Sequence, residues 1–332
     1  MVTIYDIAKR ANVSPMTVSR VINNSNLISE STRRRVEKII EEMDYIPNKA
    51  ARNLVGKRNK LVSLIVTDIV NPFFTNIARG AEDKAAELGY QLLLSNSDEE
   101  VDKESNYIRA TISAGVDGVM IAPSGDISIH NLNMLSKYKI PFVLVDREVE
   151  GITSDLILGD NRQGVELLMK HLIERGHRRI VLINGPDYVS NAREREKAFK
   201  DIVNREKLEN NISPIFQTRY KQESTDDIVN EILSVNVPHR ATAILAANNF
   251  IGVSVIKSLR KIGMRIPEDM AVVCFDNPEF IQDFNPFLTV AAQPAYDFGY
   301  IGMQYLIERI NGKIIKNRKM LLPSKLLVGK SS

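Results

Sequence analysis

The chain has 332 residues, 44% of them hydrophobic and 26% charged, with four histidines, no tryptophan and one cysteine, Cys274. At roughly 100–200 residues per domain this predicts two to three folding units. The lone cysteine excludes a disulfide framework, and the scattered histidines leave no Cys/His zinc cluster. No apolar run approaches the roughly 18 residues of a membrane span. The opening Met1–Asp6 lacks the basic-then-apolar layout of a secretory leader, so a reduced, cytoplasmic protein without metal or cofactor is expected.

Charge is placed unevenly. Residues 1–60 carry 12 basic and 6 acidic side chains, a net of +6, whereas the rest carry 32 and 35, a net of −3. A basic head on a mildly acidic body predicts that the head meets a polyanion. Thr3 and Asp6 have the spacing of a capping box that opens a helix through about Ala11, with Ile4, Ile7, Ala8 and Ala11 on one face. After a break at Asn12-Val13, Ser14 caps a second helix with Pro15 in its first turn, running to about Asn23. Ser29 caps a third, whose Val36, Ile39, Ile40 and Met43 form an apolar stripe. Three short helices, the first two joined by a tight turn, make a helix-turn-helix unit. In such a unit the second helix enters the major groove, which places Pro15, Met16 and Thr17, then Ser19 and Arg20, nearest the base edges. Arg20 reaches far enough to read a guanine in bidentate fashion, and Met16 offers only apolar contact. Arg33, Arg34 and Arg35 touch phosphates or stay solvated.

Val2-Thr3-Ile4-Tyr5-Asp6-Ile7-Ala8, Val13-Ser14 and Thr17-Val18-Ser19-Arg20-Val21-Ile22-Asn23 closely resemble the headpiece of the lactose-repressor (LacI/GalR) family. Tyr45-Ile46-Pro47-Asn48, Ala51-Arg52 and Leu54 resemble its hinge, and the resemblance continues collinearly through nearly the whole chain. It implies DNA contacts for Thr3, Tyr5, Ser14 and Asn23 in the head. In the hinge it implies contacts for Asn48 and Ala51, with Leu54 inserted into the minor groove to kink the central base step. The hinge has about eight helix-competent residues, too few for a stable isolated helix, so it is expected to order only against DNA and a partner hinge. The expected organisation is a head over 1–46, a hinge over 47–60 and a body over 61–332.

From Leu61 onward, short apolar runs alternate with amphipathic stretches. Strands are expected at 61–66, 90–94, 118–122 and 142–145, with a helix over about 72–88, and again at 180–183, 243–246 and 271–275. Apolar strands alternating with helices predict parallel sheets covered on both faces, here two Rossmann-like lobes with a ligand crevice at the strands' C-terminal ends. The resemblance implies a body like a periplasmic sugar-binding protein, crossed three times by the chain. Crossings are expected near 158–161, 288–292 and 320, giving one lobe of about 61–158 and 292–320 and another of about 162–288 and 321–332.

No glycine-rich phosphate loop follows the first strand, no Walker motif occurs, and Cys274 lies inside an apolar strand, so an enzyme is not expected. The polar and aromatic residues at strand ends are more telling. Phe73 and Phe74 open a helix at the first crevice turn, Asp146 and Asp276 follow strands, Asn248 follows another, and Arg195 lies near the start of a helix. Such a mixture suits a polyol, whose hydroxyls donate to carboxylates and accept from Arg or Asn. The resemblance adds Asn191, Tyr220 and Gln293 to the effector positions. Arg147, Arg193 and Arg195 raise a further expectation, positive charge near the crevice that favours an acidic or phosphorylated sugar.

The chain ends at Lys330-Ser331-Ser332 without a tetramerising heptad tail. A homodimer on a palindromic operator of double-stranded DNA is therefore expected, with a protein corepressor as a further possible partner and no membrane. The main alternative is a sugar-binding protein whose basic head has no specific DNA affinity.

Overall fold

The structure, a computed structural model, describes residues 2–22, 25, 27–43, 59–208, 214–221, 223–277, 287–313 and 316–332. Two compact units emerge, Met1–Asn59 and Lys60–Ser332.

The first unit holds α1 (Ile4–Ala11), α2 (Pro15–Ile22) and α3 (Glu30–Glu42). Thr3 and Asp6 form the reciprocal capping box of α1: the Thr3 N–H donates to the Asp6 carboxylate at 2.8 Å and the Asp6 N–H to Thr3 Oγ1 at 3.4 Å. Asn12 stops α1 in the left-handed region at φ 52°, a conformation Asn tolerates better than most residues. Ser14 Oγ accepts from the Thr17 N–H at 3.1 Å and so caps α2. Ile7, Ala8, Ala11, Val18, Val21 and Val36 converge as a small core, lined further by Ile39, Ile40 and Met43.

The second unit is built on two six-stranded sheets. The first contains β1 (Leu61–Val66), β2 (Gln91–Asn96), β3 (Gly118–Ile121), β4 (Phe142–Val145), β5 (Asp155–Gly159) and β11 (Lys319–Leu322), in the order β11-β5-β4-β3-β1-β2. All its pairings are parallel. The second contains β6 (Ile180–Asn184), β7 (Ile215–Gln217), β8 (Ala243–Ala246), β9 (Ala271–Phe275), β10 (Thr289–Ala292) and β12 (Lys325–Leu327), in the order β12-β10-β9-β8-β6-β7. Here only the β10–β12 pairing is antiparallel. Each sheet is buried on both faces, β1, β3 and β4 between two apolar clusters and β6, β8 and β9 between two others. That double burial is why these strands read as unbroken apolar runs.

The chain passes between sheets three times: after β5 at Asp160, after β10 at 293–294, and after β11 at 323–324. The second passage lies just beyond the expected 288–292, because Thr289–Ala291 pair with β9, Ala292 pairs with Lys325 of β12, and all remain in the second sheet. The third lies beyond 320, because β11 stays in register with β5 through Leu322. Two helices of the first lobe, α4 (Pro72–Glu87) and α11 (Ala295–Ile310), pack closely because both carry glycine at their contact: a Cβ on Gly299 would lie 1.9 Å from the Ile77 carbonyl oxygen. The buried Asp155 carboxylate fastens this lobe's late segments, meeting Arg309 at 2.9 Å and Arg318 at 3.2 Å.

Candidate functional site

The head presents one candidate surface. While Val18 and Val21 turn into the core, Met16 stands 63% exposed and Tyr5 71% exposed. Thr3, Ser14 and Arg20 are exposed, and Pro15, Thr17 and Ser19 are partly so. Met16 and Tyr5 are not among the residues of that small core, and the first two helices with their caps also expose Arg20, Thr3 and Ser14. Arg33 does not stand free: its guanidinium donates to the Ser25 carbonyl at 2.8 Å, while Arg34 pairs with Glu30 at 3.1 Å. Asn23, Asn48, Ala51 and Leu54 lie outside the described residues.

The body holds a crevice between its lobes, lined by Asp68, Asn71, Phe73, Phe74, Glu99, Asp146, Arg147, Asn191, Arg195, Tyr220, Asn248 and Asp276. It encloses about 340 Å³, counting the part open to solvent. Its walls are the loops after β1, β2 and β4 on one side and after β7, β8 and β9 on the other, with the start of α8 (Ser190–Arg205). These are C-terminal strand ends, where open α/β sheets bind ligands.

Asn71 caps α4 by accepting from the Phe73 N–H at 3.0 Å, and Pro72 occupies the first turn. This cap starts the helix at the crevice floor and sets Phe73 and Phe74 edge to face, 5.1 Å between centroids. Asn71 Oδ1 also accepts from Asn249 Nδ2 at 2.9 Å, joining the two lobes. Asn248 caps α10 (Asn249–Lys261), accepting from the Ile251 N–H at 2.9 Å.

Asp146 and Asp276 occupy matching places, each immediately after the fourth-numbered strand of its sheet, β4 and β9. Both sit in the left-handed region, at φ 68° and 63°. Strain of this kind in non-glycine residues concentrates at functional sites. Burial pushes the Asp146 carboxyl upward, opposed by Arg147 and Arg195. Burial likewise raises Asp276 to about 6, opposed by Arg195 and by hydrogen bonding to Gln293. Gln293 does not line the crevice; its Nε2 donates to both Asp276 oxygens at 3.0 and 3.1 Å, so it fixes the carboxylate from behind.

Arg195 is 2% exposed and lies 3.9 Å over the Phe275 ring. Its Nε donates to Asn161 at 2.8 Å and its Nη1 to the Ala247 carbonyl. Tyr220 packs against Gly185, where a Cβ would come within 2.2 Å of the ring. Burial pushes the Tyr220 hydroxyl up to about 12, so it is neutral at physiological pH. Asn191 Nδ2 donates to Asp146 at 3.3 Å.

Eight of the nine expected effector positions thus line one crevice, Gln293 standing behind it. The sequence reading omitted Asp68, Asn71 and Glu99. The expected concentration of three arginines does not form: Arg193 is not in the lining and pairs with Asp126 at 2.7 Å across the lobes. Cys274 is fully buried in β9, and burial raises its thiol pKa. Among the described residues no group of His, Cys, Asp and Glu is placed to hold a metal ion, and no helix is long and apolar enough to cross a membrane.

A helix-turn-helix head joined to a two-lobed α/β body with a polar crevice defines a ligand-responsive DNA-binding regulator. Comparison with known proteins agrees. Residues 3–48 match the model of bacterial regulatory proteins of the lacI family, and residues 169–332 match that of a periplasmic binding protein-like domain. The chain is 33% identical over 332 residues to the HTH-type transcriptional regulator DegA of Bacillus subtilis, covering 99% of this chain and 98% of that one. It is 34% identical over 330 residues to the ribose operon repressor of Halalkalibacterium halodurans, covering 99% and 96%. A crystal structure of the lac repressor dimer bound to operator and an anti-inducer superposes with a TM-score of 0.82 at 25% identity, over 99% and 98% of the two chains. The chain therefore belongs to the lacI family of bacterial regulatory proteins, and it is a sequence-specific DNA-binding transcriptional regulator.

Proposed function

We propose that the protein represses a carbohydrate-use operon as a cytoplasmic, non-enzymatic homodimer, with a small sugar in the crevice controlling its grip on a palindromic operator. The carrying observation is the pairing of an exposed, self-supporting recognition surface on α2 with a buried crevice of aromatics, carboxylates, amides and guanidinium groups. On DNA, α2 lies in the major groove with Pro15, Met16, Thr17, Ser19 and Arg20 over the bases, while Thr3, Tyr5, Ser14 and Asn23 meet the flanking backbone. Asn48, Ala51 and Leu54 act in the minor groove, Leu54 as the wedge at the central step.

In the crevice, Phe73 and Phe74 supply an apolar wall for a sugar ring. Asp146, Asn191, Arg195, Tyr220, Asn248 and Asp276 address its hydroxyls, and Gln293 orients Asp276. The similarity to a ribose operon repressor puts pentoses first among the sugars to try. A ligand that contacts both lobes changes their relative populations, and a coupling of 1–3 kcal/mol changes operator affinity about 5- to 150-fold.

Selection of bound duplexes from a random library at physiological salt tests the DNA half of this reading. The expected product is a pseudo-palindrome with a deformable central step. Recovery of unrelated sequences, both with and without a pool of sugars, would leave a sugar-binding protein without specific DNA affinity.

A further inference from the structure

We infer that the crevice accepts an uncharged polyol and rejects its phosphorylated or carboxylated derivative, and that Glu99 sets this exclusion; the inference rests on the crevice being the effector site. Glu99 follows Asp98 in the turn between β2 and α5 (Val101–Ala114), and both residues are left-handed, at φ 54° and 58°. Two consecutive non-glycine residues in this region are strained, and the strain aims one side chain inward. The Glu99 carboxylate takes both Arg147 Nη atoms at 2.6 Å, a bidentate pair, while Nη1 also donates to the Pro123 carbonyl at 3.1 Å. Arg147 is 2% exposed. Burial opposes its charge, and Glu99 and Asp146 together more than offset this, so the guanidinium stays ionised with its fork already occupied.

The second guanidinium is committed in part: Arg195 Nε serves Asn161, Nη1 serves Ala247, and the group covers Phe275, which leaves Nη2 to meet a ligand hydroxyl. Against these two cations the lining sets four carboxyls, Asp68, Glu99, Asp146 and Asp276. A phosphate entering here finds the Arg147 fork taken by Glu99 and meets a lining with more carboxyls than guanidinium groups at low dielectric, where like charges cost several kcal/mol.

A hydroxyl meets the opposite situation. Two buried polar atoms of the lining lack a hydrogen-bond partner, Asn191 Oδ1 and the Tyr220 hydroxyl, whereas Arg147 Nε faces an Asp146 oxygen at 3.4 Å. The first is an acceptor and the second serves either way. A hydroxyl both donates and accepts, so it satisfies both, whereas an ionised phosphate only accepts and leaves Asn191 Oδ1 and the carboxylates unanswered.

The test uses the full chain and titration calorimetry with matched pairs: D-ribose and ribose 5-phosphate, D-glucose and glucose 6-phosphate, D-fructose and fructose 6-phosphate. The expected result is saturable binding of at least one neutral sugar, with its ester weaker by about a hundredfold or more. Glu99→Gln frees the Arg147 fork while keeping the side chain's size, and is expected to shrink the ester-to-sugar ratio at least tenfold. The wild-type ratio is itself decisive if the variant folds poorly. An ester that binds wild type as tightly as its sugar overturns the inference while leaving the effector site standing. A folded Glu99→Gln protein with an unchanged ratio removes Glu99 from the account. Failure of every sugar and every ester to bind defeats the sugar-effector reading and this inference together.

Discussion

In the head, the described side chains proposed to meet DNA lie within Thr3–Arg20, and each is exposed or partly exposed. In the body, the groups facing the crevice come from segments as far apart as Phe73 and Asp276, and all eight expected lining residues are buried. The difference is one of solvation. A solvated Arg20 or Met16 costs the fold nothing until DNA arrives, so the head folds on its own small core and carries its recognition groups outside. The crevice keeps carboxylates and guanidinium groups away from water, which is unfavourable unless they compensate one another. Substitutions in the two places should therefore fail differently.

The largest effect is expected from Arg195→Ala. Its removal leaves Asp276 without the cation that offsets its burial, and Asp146 with Arg147 alone. Stability should fall by about 3–5 kcal/mol, seen in urea unfolding of the body, and the sugar response should vanish. A variant as stable as wild type would show that these charges are not coupled.

Next is Ile7→Ala, which opens a cavity in the head's core and should cost that unit about 2–4 kcal/mol. Operator binding should disappear while calorimetric sugar binding persists. Loss of both would show that the two regions do not separate as argued.

The smallest of the three concerns Asp276→Asn and carries a pH signature. Folding raises this carboxyl from 3.8 to about 6, so the folded state holds the proton more tightly than the unfolded one. Stability therefore declines as pH rises between these values, and the penalty is fully present above about 6. The variant should be more stable at pH 7 by about 1–3 kcal/mol and lose that decline, while binding sugar more weakly. In wild type, a ligand that donates to the ionised Asp276 should bind progressively worse as pH drops below 6. Affinity that holds steady from pH 7 to 5 would take Asp276 out of the ligand's hydrogen bonds.

The same contrast explains what the sequence disclosed. The head was legible because its signals are local: Thr3 and Asp6 three residues apart, Ser14-Pro15 at a helix start, Val18 and Val21 on one face. The strands β1, β3, β4, β6, β8 and β9 were legible as apolar runs, and Asp146, Asn248 and Asp276 stood out as the polar residues that follow them, whereas β5 and β10, buried as well, read only as places where the chain crosses between lobes. β7 and β12, three residues each, carry too little pattern to read as strands. Glu99 escaped notice because its direction depends on two left-handed residues in a loop, and its partner Arg147 is 48 positions away. The charge of the crevice was misjudged for a related reason: nearness in sequence put Arg193 beside Arg195, but two residues of helix, about 200° of rotation, send it to Asp126 instead.

The most direct test of the central claim is the affinity of the full chain for its selected operator, measured by fluorescence anisotropy with and without a saturating sugar that the crevice binds. If the buried crevice governs the exposed head, the two affinities should differ about tenfold or more in wild type and coincide in Arg195→Ala. Equal affinities in wild type with the sugar bound would contradict the account, leaving a DNA reader and a sugar site that share a chain without communicating.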